Sequence, residues 1–214
     1  MLAAMSGASL LPMLSPVFIV LALASWGGAV WLSLKRRRES WSAFAARNDW
    51  SCTTPAWWDS PKIRGRFLGR AFSLCTESRG SSKNRYTVTV LRLELGDTVP
   101  PSLHLEPEGL GDKFLKLFGR KDEEVGDKEL DAALDLKGVS PEARSILLAP
   151  RVRRPLLTVR SHYQRFSIVS GTLMAEQTGV ADTVDALEAL VAPALDLGKA
   201  LETVARNPEE RIRG

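Results

Sequence analysis

Three features of the chain predict an α+β fold, a mainly antiparallel sheet with helices packed on one side, preceded by one N-terminal transmembrane helix. An uncharged run over residues 10–34 meets Lys35, Arg36, Arg37 and Arg38. Apolar residues then recur at a period of two through the middle of the chain and at a helical period toward its end. A Ser-Gly pair at 170–171 separates two short apolar stretches, the pattern of a tight hairpin.

Residues 17–34 would span ~27 Å as a helix at ~1.5 Å per residue, and the run from Leu10 covers the ~30 Å hydrocarbon core with room for tilt. Side-chain charge is absent from residues 1–34 and dense just after them. Because Lys and Arg flanking a spanning helix stay on the cytoplasmic side, the expected topology is N-terminus out and the remaining body cytoplasmic, at the cell inner membrane. Trp31 and Trp41 bracket the basic cluster, where amphipathic indoles favour the headgroup region, so Trp31, Lys35, Arg36, Arg37, Arg38 and Trp41 are the expected membrane-interface residues. The competing reading is a cleaved secretory signal with Ala22-Leu23-Ala24 as the cleavage site, followed by export of the domain. The absence of a positive leading segment, and an apolar run that continues past Ala24 into four cations, favour the anchor.

The expected organisation is an anchor over residues 1–34, a basic, Trp-rich juxtamembrane segment over 35–60, an α+β domain over 61–206 and a polar tail over 207–214. All six tryptophans fall within the first 58 residues. Residues 39–50 place Trp41, Phe44 and Ala45 at helical spacing, and Ser60-Pro61 ends that region. Residues 63–76 and 86–95 read as strands joined by a polar loop at 78–85. The apolar phase of the first slips around Gly69, which predicts a bulge. A short strand follows at 102–105, then a helix at 110–118 and an acidic loop. Ser140-Pro141-Glu142 is a helix start: the hydroxyl accepts from free amides, proline suits the first turn, and the carboxylate complements the dipole. Pro150 stops that helix, and residues 151–160 form a second short one interrupted by Pro155. In the hairpin at 166–175, Val169 opposes Thr172, and Phe166, Ile168, Leu173 and Ala175 share one face. The last helix, 183–205, is expected to use Asp182 as its cap and to bury Val184, Leu187, Leu190, Val191, Ala194, Leu201 and Val204.

Residues 126–177 carry a pattern of Glu142-Ala143-Arg144, the aliphatic pair Ile146-Leu147, Pro150 and the pair Leu156-Leu157, followed by the hairpin. This stretch resembles the C-terminal half of a family of uncharacterised bacterial membrane-anchored proteins. Leu130 and Leu134 stand where that family typically has phenylalanine. The matching residues are core and capping types, so the resemblance implies a fold and membrane association and no chemistry.

No reaction is legible. His104 and His162 have no nucleophile in a recognisable local signature, and Gly65 and Gly69 sit among arginines in a strand and open no phosphate loop. The acidic stretch from Asp122 to Asp131 lacks calcium-loop spacing. Cys52 and Cys75 have no metal-site neighbours and read as free thiols in a reducing compartment, although export would allow one bridge between them. Neither a cofactor nor a small-molecule substrate is inferred. Charge is what remains: twelve Lys or Arg against four Asp or Glu over residues 35–90, then twelve acids against five bases over 94–135. Basic residues near an anchor gain from anionic lipid, which makes Arg64, Arg66 and Arg70 candidate headgroup contacts. Nucleic acid is disfavoured, because the basic strands lack interleaved stacking aromatics. The reading is therefore a membrane-anchored, non-catalytic binding or scaffolding domain with membrane lipid and a protein as partners, the alternative being a membrane-tethered enzyme with an unrecognised active site.

Overall fold

The computed structural model describes residues 16–54, 56, 59–81, 83–107 and 124–207, with the side chains of the first helix from Leu23 onward. The chain divides between Arg36 and Arg37 into two compact units. Helix α1, Pro16–Arg47, supplies the described part of the first unit and opens the second. From Leu23 to Ser33 its residues are exposed on every side. Among the described residues no helix is long and apolar enough to cross a membrane. The side chains of residues 10–22, the first half of the uncharged run, lie outside the described set, as does the helix expected at 110–118.

Among the described residues five α-helices, counting α1, accompany one eight-stranded antiparallel sheet. The strands are β1 (Ser51–Thr53), β2 (Lys62–Phe67), β3 (Arg70–Arg79), β4 (Tyr86–Glu94), β5 (His104–Pro107), β6 (Leu134–Lys137), β7 (Arg165–Val169) and β8 (Thr172–Thr178), in the spatial order β1-β2-β3-β4-β8-β7-β5-β6. The later helices are α2 (Lys128–Ala133), α3 (Pro141–Leu148), α4 (Pro150–His162) and α5 (Val184–Arg206). Cross-strand partners share a face. Ile63, Leu74, Leu91 and Ala175 therefore stand in one row, and Phe72, Leu93, Leu173 and Ile168 in another. These rows join one buried cluster with Leu156 and Val159 of α4 and Leu187, Val191, Ala194 and Leu201 of α5. The opposite face carries Arg64, Arg66, Cys75, Glu77, Arg92 and Glu176 by the same alternation.

Two expectations about local structure are corrected. The phase slip at Gly69 is a hairpin turn, not a bulge: Phe67 pairs with Arg70, and Leu68 and Gly69 both have positive φ, 52° and 77°. Reversing the chain there moves the apolar residues to the other phase, which a one-dimensional reading registers as a slip. The cap of α5 is Thr183, whose hydroxyl accepts from the Ala186 amide at 3.2 Å, while Asp182 pairs with Arg37 at 2.7 Å. The other elements follow their local signals. Ser140 caps α3 through the Ala143 amide at 3.1 Å, and Pro150 both ends that helix and stands at the start of α4. The hairpin β7–β8 pairs Val169 with Thr172 and Phe166 with Ala175 across Ser170 and Gly171, whose φ values of 50° and 69° suit a two-residue turn.

Within the segment read as juxtamembrane, Trp41, Phe44, Ala45 and Trp50 belong to the buried cluster of the domain. Helix α1 ends in a Schellman motif, with Asp49 left-handed at φ 55°, the Trp50 amide donating to the Ala45 carbonyl at 2.9 Å and the Asp49 amide to Ala46 at 3.4 Å. This turn throws Trp50 back against the sheet. Its ring stacks on Phe72 with centroids 4.1 Å apart and meets Phe44 edge-on at 5.7 Å, and its Nε1 donates to the Arg66 carbonyl at 3.0 Å. Gly65 lies directly beneath: a Cβ there would sit 2.0 Å from Trp50 Cδ1. Gly65→Ala should therefore destabilise the protein by about 1–3 kcal/mol, since the indole is held on three sides and cannot yield. Ile168→Asp, placing an unpaired charge at a fully buried site, should abolish cooperative melting. Thermal denaturation of both variants checks the two assignments.

Candidate functional site

A charged cluster lies on the face of the sheet turned away from the helices. Arg79 reaches Glu176 with Nη2–Oε1 at 2.5 Å and Nε–Oε2 at 3.4 Å, and Glu77 with Nη1–Oε2 at 2.8 Å. Arg92 Nη2 donates to Glu77 Oε1 at 2.7 Å, and its Nη1 lies 3.6 Å from Cys75 Sγ. Strand alternation makes this inevitable: Cys75, Glu77 and Arg79 are successive outward positions of β3, and register brings Arg92 and Glu176 beside them. Val88 and Val90 are buried between these side chains. Burial works to raise the Glu77 carboxyl, and the guanidinium bonds from Arg92 and Arg79 outweigh it and hold the group below its ordinary range. Burial pushes the Cys75 thiol up, and the Glu77 charge adds to that. The carboxylates and guanidinia pair across β3, β4 and β8, so the cluster is a cross-strand clamp.

The residues expected to meet the membrane separate into three groups. In the first unit Lys35 Nζ lies 5.6 Å from the centroid of the exposed Trp31 ring. Within the second, Arg37 bonds Asp182 and Arg38 donates to the Ala56 carbonyl at 2.8 Å. Trp41 is 0% exposed, with its Nε1 donating to the Ala181 carbonyl at 2.9 Å, so its indole is part of the domain core.

Arg64, Arg66 and Arg70 do not form one patch. Arg64 and Arg66 project from the open face of β2 together with Lys62, all three exposed. Arg70 belongs to the helix-bearing face, where its Nη2 bonds Asp97 at 2.7 Å and Glu202 of α5 at 3.1 Å. The turn at Leu68-Gly69 causes the split, because residues 66 and 70 are not opposite each other across it. Arg70 and Glu202 border a crevice of about 190 Å³, open to solvent, with Phe67, Leu93 and Gly198 on its walls.

Cys52 and Cys75 sit on opposite faces of the sheet, since Cys52 pairs with Ile63 of the core face and Cys75 with Val90 of the open face, so no bridge joins them. His104 and His162 are both exposed and belong to β5 and the end of α4. Among the described residues no group of three His, Cys, Asp or Glu could hold a metal ion. Within the acidic stretch, Asp127 has a structural role. It caps α2 by accepting from the Glu129 and Leu130 amides, and it binds Arg153 Nε at 2.6 Å. The Arg153 guanidinium and these amides hold its carboxyl down to about 2. No protein-family model, curated protein or solved structure matches the chain.

Glu176→Ala should cost about 3 kcal/mol, because it strips the buried partner from Arg79, with Glu176→Gln costing less; chemical denaturation measures both. Asp127, with a folded value below that of the unfolded chain, adds stability that is complete above the ordinary ~3.9 and is lost as pH falls through the folded value. The melting-temperature gap between the wild type and Asp127→Asn should therefore be constant near neutrality, shrink below about pH 4 and close near pH 2.

Proposed function

We propose that the protein is a single-pass inner-membrane protein whose domain faces the cytoplasm and serves as a non-catalytic binding or scaffolding module for a protein partner. The observation that carries this reading is the exposure of Leu23, Trp26, Val30, Trp31 and Leu32 on successive turns of α1, at 42–70% of their surface. A helix apolar on all sides has no favourable state in water and calls for apolar surroundings on every side. Four cations immediately follow it, which supports the cytoplasmic placement of the domain. A binding role is favoured over chemistry by the use of charge on the sheet: Glu77, Arg79, Arg92 and Glu176 satisfy one another, and both thiols are pushed up by burial.

The full chain should resist alkaline extraction from membranes, and a C-terminal reporter active only outside the cytoplasm should stay silent. Neutralising Lys35, Arg36, Arg37 and Arg38 together should give mixed orientation. Release into the alkaline supernatant, or a mature N-terminus just after Ala24, overturns the anchored reading.

A further inference from the structure

The chain enters the second unit at one particular end of the sheet. Arg37, the first residue of that unit, bonds Asp182 at 2.7 Å, and Trp41, about one turn further on, donates to the Ala181 carbonyl at 2.9 Å. The segment they hold returns to the sheet at Gly179, whose amide donates to the Thr87 carbonyl at 2.9 Å and whose carbonyl accepts from Thr89 Oγ1 at 2.8 Å. Thr87 is the second residue of β4, so the entry end is the one that carries the loop between β3 and β4. The β2–β3 turn is at the opposite end, because the β3–β4 pairing runs from Arg79 and Tyr86 beside the loop to Phe72 and Leu93. Helix α1 follows the same axis: traced back from Trp50, which stacks on Phe72, to Trp41 at Ala181, the chain runs toward the β3–β4 loop.

Residues 80–85 of that loop include Lys83 and Arg85 and no Asp or Glu. Both cations are exposed, and no carboxylate among the described residues pairs with either. Gly80, at φ 86°, lets the loop close on itself: a Cβ there would sit 2.1 Å from the Asn84 carbonyl oxygen, and the Asn84 amide donates to the Ser81 carbonyl at 2.9 Å. Tyr86, which follows directly, is 40% exposed, and among the described residues outside α1 only Leu68 is another exposed large apolar side chain. Leu68 lines the crevice beside Glu202 at the far end. Glu77 and Glu176 on the adjoining strands are engaged by Arg79 and Arg92. The exposed acids at the entry end, Asp59 near Ala56 and Asp185 on the first turn of α5, belong to other segments. A phenol with an apolar ring and a polar tip beside two cations matches the headgroup layer of a bilayer, where tyrosine is enriched and Lys and Arg gain from anionic lipid.

We infer that the β3–β4 loop is a second membrane contact, in which Lys83 and Arg85 bind the phosphates of anionic lipids and Tyr86 sits at headgroup level. Arg37 follows Leu34, the last residue of the uncharged run, by three positions, at most ~11 Å of chain, so in the anchored reading the loop-bearing end is the one tied to the bilayer. The inference rests on that reading, and the test separates the two. The full chain carrying Cys52→Ala and Cys75→Ser receives a nitroxide label at Asn84→Cys or, separately, at Val30→Cys or Leu68→Cys. Each is reconstituted into vesicles of phosphatidylcholine alone or mixed equally with phosphatidylglycerol, and power saturation by oxygen and by a nickel chelate is compared. The label at position 84 should be oxygen-accessible and chelate-shielded in the anionic vesicles, far less so in the neutral ones, and return to water at high salt. Position 30 should be immersed in both and position 68 aqueous in both. Lys83→Gln and Arg85→Gln should each lower the immersed fraction at position 84 about fivefold relative to the aqueous one, and Arg66→Gln, beside the opposite turn, should leave it unchanged.

A label at position 84 that stays aqueous in anionic vesicles while position 30 is immersed overturns this inference alone. An aqueous label at position 30 overturns the anchor as well. A label at 84 shielded from both reagents marks a protein contact in place of lipid and also overturns the inference, as does immersion of position 68 to the same depth as position 84. Hydrogen exchange of the unlabelled protein gives an independent reading: on anionic vesicles the amides of residues 83–86 should gain protection and those of residues 66–70 should not, and Tyr86→Ser should reduce the gain. Equal protection at the two ends of the sheet, or none at residues 83–86, counts against the loop as a lipid contact.

Discussion

The Trp50 indole is the wedge on which the arrangement of the domain depends. It fills the space over Gly65, stacks on Phe72 and touches Phe44, and so joins the end of α1 to β2 and β3 in one contact. The Schellman turn at Asp49 is what aims it. Trp41 and Phe44, one helical turn apart, bury the adjoining face of α1. A helix held by three aromatic anchors and a capped end is part of the fold, and the domain therefore begins inside the helix, at Arg37.

The sheet divides labour between its faces. One is apolar and lies under α4 and α5. The other holds its charges in pairs, so that Arg79 and Arg92 bridge three strands through Glu77 and Glu176. Paired charges on an extended face supply cross-strand adhesion and discourage non-specific contact. On β2 the cations Lys62, Arg64 and Arg66 are exposed next to small uncharged neighbours.

Local devices are readable because their chemistry is complete within a few residues. Ser140-Pro141, the Ser170-Gly171 turn and the alternation in β4 each specify a conformation from adjacent side chains alone. The expectation at Gly69 fails for the same reason that it detects something: a change of hydrophobic phase marks a break in the strand, and a bulge and a tight turn both produce one. Asp182 and Thr183 are both good caps by composition. Arg37, 145 residues away in the chain, draws Asp182 aside.

From its residues alone the chain determined its class, an α+β unit built from an antiparallel sheet, the start of most helices, and a charge-free segment closed by four cations, because these follow from periodicity and local hydrogen bonding. Tertiary structure decided which face each residue serves. It buried Trp41, placed Arg70 among carboxylates of the helix side while leaving Arg64 and Arg66 on the open side, and set the two cysteines on opposite faces. Such outcomes depend on strand order and on which segments meet across the sheet, and those are set by contacts between residues far apart in the chain, beyond the reach of any local pattern.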